Sequence, residues 1–175
     1  MWPFKKTKER LTATALFARW FRIQVPEGFS SLDAFEAAIT DEERERLPKT
    51  FEKLALDGVE RIYQVRRHEL EPDRSALLFL DALLDAEMRW KLTENQDSNH
   101  PRNLFRLVAT EFGCIVGEIY LRAGKAVWEP RRAPNHWRSL LRLTGGGTYD
   151  PFRAVVHKMS DERNDDALVA HFDAL

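Results

Sequence analysis

Two glutamates, Glu111 and Glu118, form the pattern in this sequence that comes closest to acid–base chemistry. They lie seven residues apart, so both carboxylates fall on the same face of a helix. A pair of carboxylates can act as general acid and general base when a substrate-sized cleft surrounds it. Arg122 follows Glu118 by four residues, however, and this spacing is typical of an ordinary ion pair on a helix. The pattern favours the ion pair and leaves a small hydrolase that uses Glu111 or Glu118 as the alternative.

The remaining residue types that carry chemistry show no catalytic or metal-binding spacing. Cys114 lies within an apolar run, where a cysteine behaves as a small hydrophobic residue rather than as an exposed thiolate. The five histidines lack the spacing of zinc ligands, and no G-x-S-x-G segment marks a serine nucleophile. The glycines at 145–147 have no lysine beside them and no helix start after them, which predicts a hairpin loop rather than a phosphate-binding loop. The sequence therefore predicts no catalytic residue, no metal site and no cofactor.

Both glutamates lie on a long apolar segment, residues 103–123, which predicts the central helix of the domain. Apolar side chains occupy most of its circumference, so little of the helix is left for water. Ala109, Gly113 and Gly117 are spaced four apart and form a groove without large side chains, which predicts close approach of backbone or of small side chains. Gly124 predicts a left-handed stop after the helix.

The segments before the central helix predict further helices. Thr40 and Glu43 form a capping box, Pro48 predicts a break, and Asp57-Gly58 predicts a helix end. Pro72 opens a leucine-rich helix with Asp73 in its first turn. The predicted helices cover 8–22, 30–39, 40 to the break at Pro48, Pro48 to Leu56, 59–70 (where a strand is the alternative) and 72–92, followed by a loop over 93–103.

The segments after Gly124 predict a small antiparallel sheet. Alternating apolar residues predict strands over 125–130, which carries Trp128, over 136–143, which carries Trp137, and over 152–159. Asp165 or Asp166 would cap a short C-terminal helix. The fold class is therefore α+β: a helix-rich N-terminal part packed on about three strands, in a single domain over 1–175 whose first ten residues form a flexible terminus.

Basic residues concentrate on the polar face of this predicted sheet. A hairpin between 136–143 and 152–159 places Arg142 opposite Arg153 and Arg138 opposite His157, while Arg131 and Arg132 precede it. Because like charges destabilise a cross-strand pair, an acidic partner must neutralise this face. The partner is either a separate acidic protein or the chain's own acidic segments, 41–60 and 161–173.

Composition narrows the class of protein and its compartment. The chain has 175 residues and a net charge of −1, so no overall positive field recruits nucleic acid. A single cysteine excludes an internal disulfide, and no secretory signal or apolar run of 18 residues is visible, which predicts a cytoplasmic protein. Trp2, Phe4 and the neighbouring lysines are typical of a weak membrane-surface anchor or, as the alternative, of a terminus that packs locally.

The segment FGCIVGEIYLRAGKAVWEP resembles an uncharacterised bacterial domain family. The family has F-G-x-x-x-G-E on a helix, a following glycine and a tryptophan in the next strand. A later Pro-Phe pair opens another strand there, and Pro151-Phe152 matches it. The resemblance covers about residues 74–172. It implies an α+β fold and carries over no activity and no catalytic residues.

The function that these observations favour is a non-catalytic cytoplasmic interaction or accessory protein, of the immunity-inhibitor or secretion-associated kind. Its predicted binding surface for an acidic partner is the basic sheet face. The hydrolase that uses Glu111 or Glu118 is the alternative.

Overall fold

The computed structural model describes residues 10–94, 96–100, 103–162 and 167–175. Eight α-helices and three strands make up this part of the chain, which confirms the α+β class. In chain order they are α1 Ala13–Trp20, α2 Leu32–Ala37, α3 Asp41–Arg66, α4 Arg74–Leu83, α5 Ala86–Thr93, α6 Leu104–Arg122, β1 Ala126–Glu129, β2 Leu140–Leu143, β3 Thr148–Tyr149, α7 Pro151–Lys158 and α8 Leu168–Asp173. In the described part of the chain, none of the helices combines the length and the apolar composition that a membrane span needs.

The central helix is α6, as the sequence predicts. The Asn103 side chain caps its N-terminus by accepting from the Arg106 N–H at 3.0 Å, and every residue from Glu111 to Tyr120 is buried. At its C-terminus Gly124 adopts a φ of 68°, and the Gly124 and Lys125 N–H groups donate to the Leu121 and Tyr120 carbonyls. These two bonds form a Schellman motif, which ends the helix where the glycine predicts.

The predicted break at Pro48 and the predicted end at Asp57-Gly58 are both wrong, because α3 is one helix of 26 residues. The capping box of Thr40 and Glu43 starts it as expected. Pro48 and Arg44, whose carbonyl loses its helical partner, are both exposed, while Leu47 and Phe51 are buried in the core. Packing against α6 thus outweighs one missing hydrogen bond. The favoured helix over 59–70 is confirmed as far as Arg66.

The other N-terminal helices are shorter than predicted. The described part of the 8–22 helix begins only at Ala13, where the Thr12 side chain caps it. The predicted helix over 72–92 is two helices, because Leu84 is extended and Asp85 caps a second start by accepting from the Met88 N–H at 2.7 Å. Asp73 is the cap of α4 rather than a residue of its first turn. Capping chemistry inside the leucine-rich segment accounts for the interruption.

The three strands form one antiparallel sheet in the order β1-β2-β3. Trp128 pairs with Leu141 between β1 and β2, and Arg142 pairs with Thr148 between β2 and β3. The loop over 144–147 is therefore the turn of a hairpin, as its glycines predict. The strand predicted over 136–143 is confirmed only for β2, since His136–Arg138 form a 3-10 turn.

The strand predicted over 152–159 is wrong, because this segment is α7. Asp150 caps it by accepting from the Arg153 N–H at 2.8 Å, and Pro151 occupies the first turn. The buried residues follow helical spacing and are Phe152, Val155, Val156 and Met159. The Pro-Phe pair taken from the family resemblance therefore begins a helix, and the third strand is the short β3 inside the predicted loop.

A short C-terminal helix, α8, closes the domain as predicted. Its described N-terminus takes its cap from another helix, since Asp81 of α4 accepts from the Leu168 and Val169 N–H groups at 2.9 and 3.2 Å. The caps predicted at Asp165 or Asp166 lie outside the described residues, as does the anchor predicted around Trp2 and Phe4.

Candidate functional site

The basic residues predicted for one sheet face lie on separate elements. Only Arg142 belongs to the sheet, where it is exposed between Val127 and Thr148. Arg138 lies in the 3-10 turn, and Arg153 lies on α7. The predicted register of Arg142 with Arg153 and of Arg138 with His157 is therefore wrong, because the second strand it needs is a helix. The binding roles of these residues stay predictions.

The two arginines after β1 are held by acidic residues of the same chain. Arg132 donates to Glu43 Oε1 at 3.0 Å and to the Phe35 carbonyl at 2.7 Å, with its guanidinium over the Phe35 ring. Arg131 Nη1 lies 4.0 Å from Glu36 Oε2. The structure thus supports internal neutralisation for both arginines, through Glu43 of the predicted acidic segment 41–60 and through Glu36 outside it.

Arg153 and His157 share a cleft of about 330 Å³ between α7 and α8, together with Tyr149, Asp150 and His171. His157 Nε2 lies 3.3 Å from a carboxylate oxygen of Glu162. The Asp150 carboxyl caps α7, and burial raises its pKa. These contacts hold the start of α7 and join its end to the following turn, so they explain why the polar groups gather there.

The small residues of α6 leave space that large side chains of other elements fill. A Cβ on Gly113 would overlap the Phe152 ring of α7, and one on Gly117 would overlap the Trp128 ring of β1. Large aromatic rings therefore fill the groove, rather than the backbone or small side chains that were expected. Ala109 is fully buried on the same helix.

Trp137 packs against aromatic side chains at the end of α1. Its ring lies 5.8 Å from the Phe17 ring and 5.4 Å from the Phe21 ring, measured between centroids. It thus ties α1 and the residue after it to the 3-10 turn.

Glu111 is buried in the interface between α3 and α6. Its two oxygens accept from Arg61 Nε at 2.6 Å and from Arg61 Nη2 at 2.8 Å. The Glu111 side chain is 3% exposed and the Arg61 side chain 36% exposed. The hydrogen bonds from Arg61 to the carboxylate raise the pKa of the guanidinium. Glu111 is thus a buried ion-pair partner, and its carboxylate is occupied.

Glu118 lies two helical turns further along the same face of α6 and has a different environment. The predicted ion pair with Arg122 is replaced by a hydrogen bond from Trp128 Nε1 to Glu118 Oε1 at 3.2 Å. Burial raises the pKa of the Glu118 carboxyl, and the Trp128 hydrogen bond opposes this shift. Cys114 between the two glutamates is fully buried, and burial raises the pKa of its thiol, as expected for a structural cysteine.

An apolar groove of about 310 Å³ lies between α3, α5 and α6, beside the Arg61–Glu111 pair. Its apolar lining includes Ile62, Val65, Leu83, Met88, Leu104 and Phe112. Among the described residues, the charged side chains that line it are all cations: Arg61, Arg66 and Lys91. Val65 is 72% exposed, so an apolar side chain at the groove stands open to solvent. We call this feature the basic-rimmed groove.

The basic-rimmed groove could not be predicted because the sequence pattern divided α3 at Gly58. In the single helix, Phe51, Ala55, Gly58, Ile62 and Val65 are spaced by four, three, four and three residues. This stripe is buried as far as Ile62 and then continues to the exposed Val65. An apolar stripe that runs past the end of the core was the signal for an open groove.

No family model, curated protein or solved structure matches this chain. The resemblance to the bacterial domain family therefore stays a prediction.

Proposed function

We propose that this protein is a non-catalytic cytoplasmic interaction protein that binds an acidic, amphipathic helix of a protein partner. The basic-rimmed groove is the observation that carries the proposal. Its floor is apolar, and its charged lining residues Arg61, Arg66 and Lys91 are cations. A helix with an apolar stripe and flanking carboxylates is complementary to this surface in both polarity and charge.

The groove suits a helix better than an extended peptide. All described lining residues belong to α3, α4, α5 or α6, so the groove offers no strand edge for backbone pairing. A segment laid against apolar side chains must satisfy its own N–H and C=O groups, and a helix does so internally. The acidic partner predicted from the sequence is thus retained, with a different surface.

The acid–base alternative has less support. Both oxygens of Glu111 accept from Arg61, and Glu118 accepts from the Trp128 indole within the core. Neither glutamate lines the basic-rimmed groove or the cleft between α7 and α8. A general acid or base needs access to its substrate, which these contacts do not provide.

The test is a binding titration with designed peptides of about 18 residues, long enough to form a helix. One peptide carries leucines at i, i+3, i+4 and i+7 with glutamates beside them, and the other scrambles the same composition. We expect the patterned peptide alone to bind, and Val65→Glu to weaken binding about tenfold or more. Leu56→Glu is the matched control, since Leu56 is also an exposed apolar residue of α3 but lies outside the groove.

Equal binding of the scrambled peptide, or unchanged binding by Val65→Glu, contradicts the proposal. Sedimentation at increasing concentration addresses the competing occupant. Self-association of the wild-type chain that Val65→Glu abolishes would assign the groove to a second copy and reject the acidic partner.

A further inference from the structure

Arg61 differs from the other two cations of the basic-rimmed groove in how it is held. It donates to both oxygens of Glu111 at 2.6 and 2.8 Å, and the Glu111 side chain is 3% exposed. Lys91 instead pairs with Glu87 on the surface, where both side chains are more than half exposed. A long side chain in water loses conformational freedom when it binds, whereas one already fixed by a buried partner loses little.

The pair with Glu111 leaves part of the guanidinium available. An arginine side chain has five N–H donors, and Glu111 uses those of Nε and one of Nη2. Within the described ranges of the chain, the remaining three donors, both on Nη1 and one on Nη2, have no hydrogen-bond acceptor. The Arg61 side chain is 36% exposed and lines the groove, so a second carboxylate can approach it from the groove side.

Gly58 accounts for the position of the pair. An ideal Cβ at Gly58 would lie 3.1 Å from the Cβ of Glu111 and 3.0 Å from Ile115 Cδ1, so α3 and α6 approach closely there. Arg61 follows Gly58 by about one helical turn, which brings its side chain to the carboxylate of Glu111. The close helix contact thus places a fixed guanidinium at the wall of the groove.

We infer that Arg61 is the residue that recognises a carboxylate of the partner helix, and that Glu111 is the positioning residue that holds Arg61 for this contact. The inference rests on the proposed function and names the side-chain chemistry that the groove selects. Arg66 and Lys91 supply a general attraction to acidic partners, while Arg61 supplies a contact of fixed geometry. A planar guanidinium fork is suited to such a contact in a way that an ammonium group is not.

The test compares the patterned acidic peptide with a set in which one glutamate at a time is replaced by glutamine. For wild-type protein, replacing the glutamate at one position should lower the binding affinity about tenfold, the usual worth of a charge-assisted hydrogen bond. The ratio to follow is the affinity for the patterned peptide divided by the affinity for the glutamine peptide of that position. Arg61→Lys should reduce this ratio to about threefold or less while leaving affinity for the glutamine peptide within about twofold. Glu111→Gln should do the same, because it frees Arg61 from its fixed position.

Lys91→Gln is the control for general charge, and it should weaken all peptides by a similar factor without changing the ratio. The Arg61 Nε–H signal in NMR spectra gives a separate measure, since it should be protected in wild type and lose protection in Glu111→Gln. An unchanged ratio in Arg61→Lys overturns the inference, and so do equal affinities for all peptides in wild type, although the proposed function survives both. Failure of every peptide to bind instead removes the proposed function itself.

Discussion

The two sides of α6 are built by opposite means. Toward the sheet and α7, Gly113 and Gly117 lack side chains, and the Phe152 and Trp128 rings occupy the space. Toward α3, the close approach at Gly58 is followed by the Arg61–Glu111 ion pair and then by the basic-rimmed groove. The first side is closed by aromatic rings, and the second side remains open at its end.

The two sides of α6 therefore have different roles: one stabilises the fold, and the other carries the proposed binding surface. Trp128 stacks on Phe51 of α3 with 4.6 Å between ring centroids and lies 6.0 Å from Phe152 of α7, so the rings on the sheet side continue to the first half of α3. Rings of this size exclude water and leave a ligand no room. A partly exposed guanidinium, in contrast, keeps donors at the surface. We therefore place binding on the α3 side and stability on the sheet side.

The largest expected effect is that of Gly117→Ala, which should lower the free energy of unfolding by about 3 kcal/mol through overpacking. The added methyl would lie 3.0 Å from Trp128 Cε2, with other ring atoms closer still, and the stacked ring cannot move freely. Urea unfolding followed by fluorescence measures it. Gly58→Ala is the matched control on the α3 side, where the change should stay within about 1 kcal/mol because alanine's better helix propensity offsets the tighter contact. Equal losses at both glycines would contradict the contrast between the two sides.

The second effect is the loss of the ion pair on the α3 side. Arg61→Met should cost about 2 kcal/mol of unfolding free energy, less than for a fully buried pair because the arginine is 36% exposed. Glu111 would then be left buried without its cation. Thermal and urea unfolding at pH 7 measure the loss, with Arg66→Met as the control on the same helix. A loss in Arg66→Met as large as that in Arg61→Met would show that the pair with Glu111 is not the cause.

The smallest expected effect is a change of stability with pH at Glu118, and its sign is what tests the description. Burial raises the pKa of the Glu118 carboxyl above its usual value near 4.5, so the folded state binds more protons than the unfolded state between these two pKa values. The stability that protonated Glu118 contributes is complete below the unfolded pKa and is lost as pH rises through the folded pKa. Glu118→Gln should therefore gain stability relative to wild type as pH rises from 4 to 7.

Glu111→Gln should show the reverse at pH 7, a loss of stability, because it removes the anion that Arg61 pairs with. Urea unfolding of both variants at pH 7 makes this comparison. If both glutamine variants change the unfolding free energy in the same direction at pH 7, the environments of Glu111 and Glu118 do not differ as described.

Local chemistry in the sequence determined where several elements begin and end. The capping box of Thr40 and Glu43, the left-handed stop at Gly124 and the apolar circumference of α6 were all predicted correctly. Each depends on hydrogen bonds or dihedral preferences within a few residues of the chain. The start of α7 also depends on local chemistry, since Asp150 caps it and Pro151 lies in its first turn, but the alternation of apolar residues predicted a strand there.

Only the tertiary structure decided which signals prevail and which side chains meet. Pro48 and Gly58 interrupt no helix, because α3 buries one face from Leu47 to Ile62 and gains more from this burial than the local breaks lose. The meeting of Arg61 with Glu111 joins residues 50 positions apart. Such a pair follows from the crossing of two helices, which no local preference encodes, and so the candidate site lay outside what the sequence could predict.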